Sequence, residues 1–159
     1  MTKILKAPQT VTSFAGISFV NDAFAQCGLS KLIDEDLGNR KSVAYKYSDI
    51  FRSLFDIFFC GGDVIEDIQQ HLRPTLEHIP GNKVPSSDTL LRGIKELSLA
   101  NTKVESSKGN VYNFNINHKL NNLNIKSLLL TNQLKRGEYY DFDYDNQIIA
   151  CEKYDSKRT

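Results

Sequence analysis

The sequence predicts a mainly α-helical chain that turns to β-strand only near its C-terminal end. Three observations carry that expectation. Apolar residues recur at helical spacing in successive segments between Asn21 and Leu134. Serines and glycines punctuate these segments where helix caps and stops belong. From Glu138 the period changes to two: Tyr139-Tyr140-Asp141-Phe142-Asp143-Tyr144-Asp145-Asn146-Gln147-Ile148-Ile149 alternates and is rich in Tyr and Ile.

Each element follows in turn. Residues 1–12 read as an irregular lead-in with Pro8. A first helix begins at Asn21 and stops at Gly28; Ser30 caps a short second one through Glu35. Gly38-Asn39-Arg40-Lys41 is a positively charged turn. Residues 47–60 are the most apolar segment, with Ser48 as cap and Ile50, Phe51, Leu54, Phe55, Phe58 and Phe59 at helical intervals. This is the expected central helix of the N-terminal core, stopped by Gly61-Gly62. Asp63–Leu72 is an amphipathic helix with Asp63 and Glu66 at its positive end. Pro74 and Pro80-Gly81 mark a loop. Ser86 or Ser87 caps the next helix, whose Leu90, Leu91, Ile94 and Leu97 face inward. Residues 100–114 are polar and read as a loop or hinge. Leu120, Leu123, Ile125, Leu128, Leu129, Leu130 and Leu134 predict a last helix, ended by Lys135-Arg136-Gly137, despite the poor helix propensity of the asparagines among them.

Composition narrows the function. The 159 residues, 40% hydrophobic and 25% charged, suit a globular protein and not a disordered one. Lys+Arg 20 against Asp+Glu 19 leaves a net charge of +1, which excludes a histone-like, globally basic binder but permits local basic patches. No apolar run approaches the ~20 residues of a membrane span, and the N-terminus lacks a signal-peptide core. Cys27, Cys60 and Cys151 are widely spaced and form no CxxC pair, so reduced thiols in a cytoplasmic protein are expected. His71, His78 and His118 are scattered without ligand-like spacing. No Ser-His-Asp set, P-loop or dinucleotide fingerprint is visible.

Two segments have chemistry to offer. On a strand, Asp141, Asp143 and Asp145 share one face. Three carboxylates there repel unless they are solvated or bind a hard cation such as Mg²⁺. The same residues with Glu152 also match the spacing of a calcium-binding EF-hand loop, with Asn146 in the usual glycine position; Gly137 and the strand-forming Tyr139 and Tyr140 oppose that reading. The second segment is the helix after Pro85. Its polar start, Ser87 and Thr89, and its cations, Arg92 and Lys95, suit contact with DNA bases or phosphates. The connection from Arg73 to Pro85 is longer than the turn of a strict helix-turn-helix, and an ordinary helical bundle explains the same residues. Arg40, Lys41, Lys46 and Arg52 form one further loose positive cluster, and Lys153, Lys157 and Arg158 another.

Tyr140-Asp141-Phe142-Asp143-Tyr144-Asp145-Asn146-Gln147, followed by Glu152-Lys153-Tyr154-Asp155-Ser156-Lys157-Arg158-Thr159, resembles the opening of the catalytic domain of DDE-type insertion-sequence transposases, closest to the insertion-sequence-1380 group. Ser13-Phe14-Ala15-Gly16 and Pro85–Arg92 resemble that group's N-terminal region. The resemblance covers most of this chain but only the front of a family member. It implies an RNase H-like catalytic fold in which two aspartates and a glutamate hold two Mg²⁺ ions for phosphoryl transfer. It places the first catalytic, metal-binding aspartate at Asp145 or Asp143, with Asp145 favoured, and implies DNA partners, the terminal inverted repeats of an element.

The expected organisation is therefore a helical DNA-binding or dimerisation domain at 1–100, a polar linker and helix at 101–137, and the first strand of a truncated RNase H-like α/β domain at 138–159. Because Thr159 precedes any later aspartate or glutamate of the family's set, this stretch is expected to be catalytically incomplete and to bind no Mg²⁺ stably by itself. Two other readings stay open: a calcium module on Asp141, Asp143, Asp145 and Glu152, and a helical interaction domain that forms a homodimer through the Phe-rich helix.

Overall fold

Six α-helices, one π-helical turn and one two-stranded hairpin make up the regular structure of the computed structural model, which describes residues 13–41, 44–114 and 117–141. The fold is mainly helical, as expected. The chain divides between Leu97 and Ser98 into two units.

In the first unit, α1 (Ile17–Gln26) starts four residues earlier than the sequence suggested. Gly28, at φ 82°, reverses the chain straight into α2 (Leu29–Leu37), so Ser30 lies inside the helix and is not its cap. A left-handed residue at that point costs a glycine little. The following helix, α3 (Tyr47–Phe59), has its N-terminal amides satisfied by carboxylates. Asp49 accepts from the Lys46 amide at 3.0 Å. Asp34, from α2, accepts from both the amide and the hydroxyl of Ser48, at 3.0 and 2.9 Å. Ser48 is therefore capped by α2 and does not itself cap. Negative charge at this end also complements the helix dipole.

The face that α3 buries is not the phenylalanine face. Ile50, Ser53, Asp56 and Ile57 point inward, while Phe58 and Phe59 are 74% and 56% exposed. Ile50 and Ile57 join Ile17, Ile68, Leu72, Leu76, Val84 and Leu90 in one core. Small polar side chains at 53 and 56 let neighbouring helices approach closely, and the rings are left on the outer side.

The expected helix at 63–72 is shorter and wider. Residues 63–67 turn around Asp67, whose carboxylate accepts from the amides of Asp63 and Val64. Ile68–Leu72 is π-helical and runs directly into α4 (Arg73–Leu76). The Arg73 amide reaches back five residues to the Ile68 carbonyl. Pro74, expected in a loop, instead stands in the first turn of α4, where its missing N–H is tolerated. The widened turn sits where proline would otherwise break the ladder.

Ser86 caps α5 (Ser87–Glu96), accepting from the Thr89 amide at 3.3 Å. Leu90 is fully buried as expected, but Leu91 and Ile94 are outside. Gly93 takes the inward place, its Cα lying against Ile50 of α3.

In the second unit, the stretch read as a loop is a hairpin: β1 (Thr102–Glu105) pairs antiparallel with β2 (Val111–Phe114), Glu105 opposite Val111. The connection explains it. The Gly109 amide closes a turn onto the Ser106 carbonyl at 2.9 Å, and Gly109 is left-handed at φ 77°. That is the type I turn plus left-handed glycine that three-residue hairpin loops use. α6 (His118–Leu130) is capped by Asn117, which accepts from the amides of Lys119 and Leu120. It ends four residues before Leu134 because Asn132 turns left-handed at φ 58° and the Gln133 amide closes on the Leu128 carbonyl. Tyr139–Asp141 belong to no strand, and the remainder of the expected strand lies outside the described residues. No helix among the described residues is long and apolar enough to cross a membrane.

Candidate nucleic-acid interface

Helix α5 presents the expected DNA-contacting residues unequally. Arg92 and Lys95 are exposed, three residues apart and so on one helix face. The Arg92 guanidinium folds back on its own helix: Nε donates to the Asp88 carbonyl at 3.3 Å, and a terminal nitrogen reaches the Thr89 hydroxyl at 3.5 Å. Thr89 is half-buried and shares a 2.9 Å hydrogen bond with the Ser86 hydroxyl. Ser87 is turned inward, where its hydroxyl donates to Gln69 at 2.7 Å. It ties α5 to the π-helical turn and is not on the outer surface. Asp88 is exposed near Arg92 and tempers the positive face.

The loose basic cluster around α3 is largely committed to carboxylates. Arg40 is buried and pairs with Glu96 through two bonds of 3.1 Å. Arg52 pairs with Asp49 at 3.0 Å, and Lys46 approaches Asp34 at 3.7 Å. Lys41 stays on the surface. Arg40 ties α5 to the segment before α3, Lys46 faces α2, and Arg52 is matched within its own helix, which leaves little charge here for phosphates.

Asp143 and Asp145, the expected catalytic and metal-binding pair, lie outside the described residues, as do Glu152, Lys153, Lys157 and Arg158. Asp141 is exposed. Among the described residues no group of three or more His, Cys, Asp or Glu side chains is placed to hold a metal ion. His71, His78 and His118 are exposed, and Cys27 and Cys60 are half-buried free thiols.

The Phe-rich helix carries an aromatic surface: Phe55 stacks on Phe59 at 6.3 Å, Phe59 meets Phe58 edge-on at 5.5 Å, and Phe24 of α1 closes the row against Phe55. A buried polar group inside the first unit escaped the sequence reading: Asn21 of α1 donates to Asp56 of α3 at 2.6 Å. Asp56, flanked by Phe55 and Ile57 in the most apolar segment, was the available signal.

Compared with protein-family models, with curated proteins and with solved structures, the chain has no match in any of the three.

Proposed function

We propose that this chain is the DNA-binding front of a DDE-type transposase of the insertion-sequence-1380 kind, acting in the cytoplasm on the terminal inverted repeats of its element. The observation that carries the reading is the resemblance of Tyr140–Gln147 and Glu152–Thr159 to the family's catalytic opening. The exposed Arg92 and Lys95 on a capped helix are compatible with phosphate contact, with Thr89 beside them. Ser87 serves by fixing α5 in place. Asp145 and Asp143 are hard oxygen donors of the kind Mg²⁺ takes, and Mg²⁺ in the full-length family supplies the charge stabilisation of strand transfer. The family uses two aspartates and a glutamate, of which the resemblance assigns only the first here.

The test is a mobility-shift titration at low salt with inverted-repeat DNA and a scrambled duplex. Preference for the repeat is expected. Replacing Arg92 and Lys95 together by Ala is expected to weaken binding about tenfold or more and to reduce the salt slope by about 2, since each released phosphate contact contributes roughly 0.9. Equal binding to both duplexes sinks the proposal.

The aromatic row favours one further reading, a helical domain that pairs with a second copy of itself through Phe55, Phe58 and Phe59. Phe55, Phe58 and Phe59 are adjoining exposed rings, a larger apolar patch than scattered single surface hydrophobics make. Sedimentation between 5 and 200 μM (concentrations on the order of a weak dimer's Kd) is then expected to show a dimer that Phe58→Ser abolishes. A monomer throughout rejects this pairing.

A further inference from the structure

Asp56 is 1% exposed, and only one of its carboxylate oxygens has a hydrogen-bond partner, the Asn21 amide nitrogen at 2.6 Å. Its other oxygen, Oδ2, is buried with no partner. So are the side-chain oxygens of Asn21 and Asn82, the latter donating its own amide to the Leu76 carbonyl at 3.2 Å. Asn82 also acts on Asp56, favouring its charged form. Three elements thus bring together orphaned acceptors: α1, α3 and the segment between α4 and α5. One proton on Asp56 would convert one of these acceptors into a donor for another.

The surrounding charges leave the carboxylate uncompensated. Arg52, one turn earlier on α3, is the cation that acts on Asp56, but it is held by Asp49 at 3.0 Å while its Nε remains buried and unpaired. Cys60, one turn later, carries a thiol pushed up by burial and by Asp56. From α2, Asp34 meets α3 at Ser48; from α5, Glu96 meets it at Tyr47; both act at the far, N-terminal end. On α1 the facing group is the neutral Asn21, Asp22 being exposed. His71 of the π-helical turn and Lys83, next to Asn82, are also exposed.

We propose that Asp56, Asn21 and Asn82 form a proton-operated latch, in which the neutral carboxylic acid fastens α1 and the 77–86 segment to α3 and the carboxylate loosens them. Burial is the main cause that raises the Asp56 pKa from 3.8 to about 6; the hydrogen bond from Asn21, the charge of Arg52 and the Asn82 side chain oppose it. The folded state therefore holds this proton more tightly than the unfolded chain. The latch's contribution is complete below pH ~4, fades as pH rises, and is lost above pH ~6.

The expected results are a ¹³C carboxyl titration of Asp56 in the unaltered protein with a midpoint near 6, and a change in the unfolding constant, from this group, of about a hundredfold between pH 4 and pH 7.5. Asp56→Asn, which carries a permanent donor, is expected to remove that hundredfold component. It should leave the protein more stable than the parent at pH 7.5. A carboxyl midpoint at or below 4 overturns the latch whether or not the variant folds. So does an Asp56→Asn protein that folds but keeps the parent's full pH dependence.

Discussion

Arg40→Ala is expected to lower the unfolding free energy by about 3 kcal/mol, within the range for a buried pair that loses one partner. The side chain of Arg40 is 1% exposed. Its Nε and a terminal nitrogen each donate to a different oxygen of Glu96 at 3.1 Å, a fork-to-fork pair. The guanidinium also approaches the Tyr45 carbonyl at 3.4 Å and lies over the Tyr47 ring, 5.8 Å from its centre. Removing it strands the Glu96 carboxylate, which retains partial solvent access, so the loss falls at the lower end of that range. Arg40→Lys is expected to recover less than half, because an ammonium cannot make the two parallel bonds. Arg40→Met with Glu96→Leu should cost under about 1 kcal/mol, since no charge is left buried. Urea titration of the four proteins decides this: equal midpoints for the single and double replacements would show that desolvated charge is not what Arg40 holds in check.

The helices were legible because their signals are local. Gly28 and Gly38 end helices by turning left-handed, and Ser86 offers its hydroxyl to an amide three residues on. The hairpin was equally local, written in Ser106-Ser107-Lys108-Gly109, but strands of four residues are too short for periodicity to register. The orientation of α3 was not legible. Four phenylalanines fix where a helix lies, not which side of it is inward. That was settled by tertiary partners, the Asn21 amide for Asp56 and the glycine face of α5 for Ile50, which no single segment displays. The same limit governs the candidate interface. Sequence marked Arg40 and Arg52 as cations in a cluster but could not show that Glu96, 56 positions away, and Asp49 had claimed them. Ser87 and Ser86 look alike in sequence. One turns inward to Gln69 and the other caps, because only Ser86 precedes the helical turn.

The contact between α3 and α5 gives the second large effect. Ile50 is 0% exposed, and Ile50→Ala is expected to cost about 3–4 kcal/mol, the transfer loss plus the void left in a core that cannot fully collapse. The neighbour across the contact is Gly93. A methyl group there would sit 3.0, 3.1 and 3.3 Å from three carbons of the Ile50 side chain. With Ile50 walled in, that methyl has nowhere to push it. Gly93→Ala alone is therefore expected to be destabilising by about 1 kcal/mol, overpacking outweighing the gain of roughly 1 kcal/mol in helix propensity. Once Ile50 is Ala, the three obstructing carbons are gone. The same Gly93→Ala change then keeps its propensity gain, fills part of the void, and becomes stabilising by about 1 kcal/mol. The sign reversal amounts to a coupling of about 2 kcal/mol between residues 43 positions apart in sequence. Denaturant unfolding of the parent, both single variants and the double variant measures it directly. Strict additivity would mean that α5 does not rest on Ile50 through Gly93.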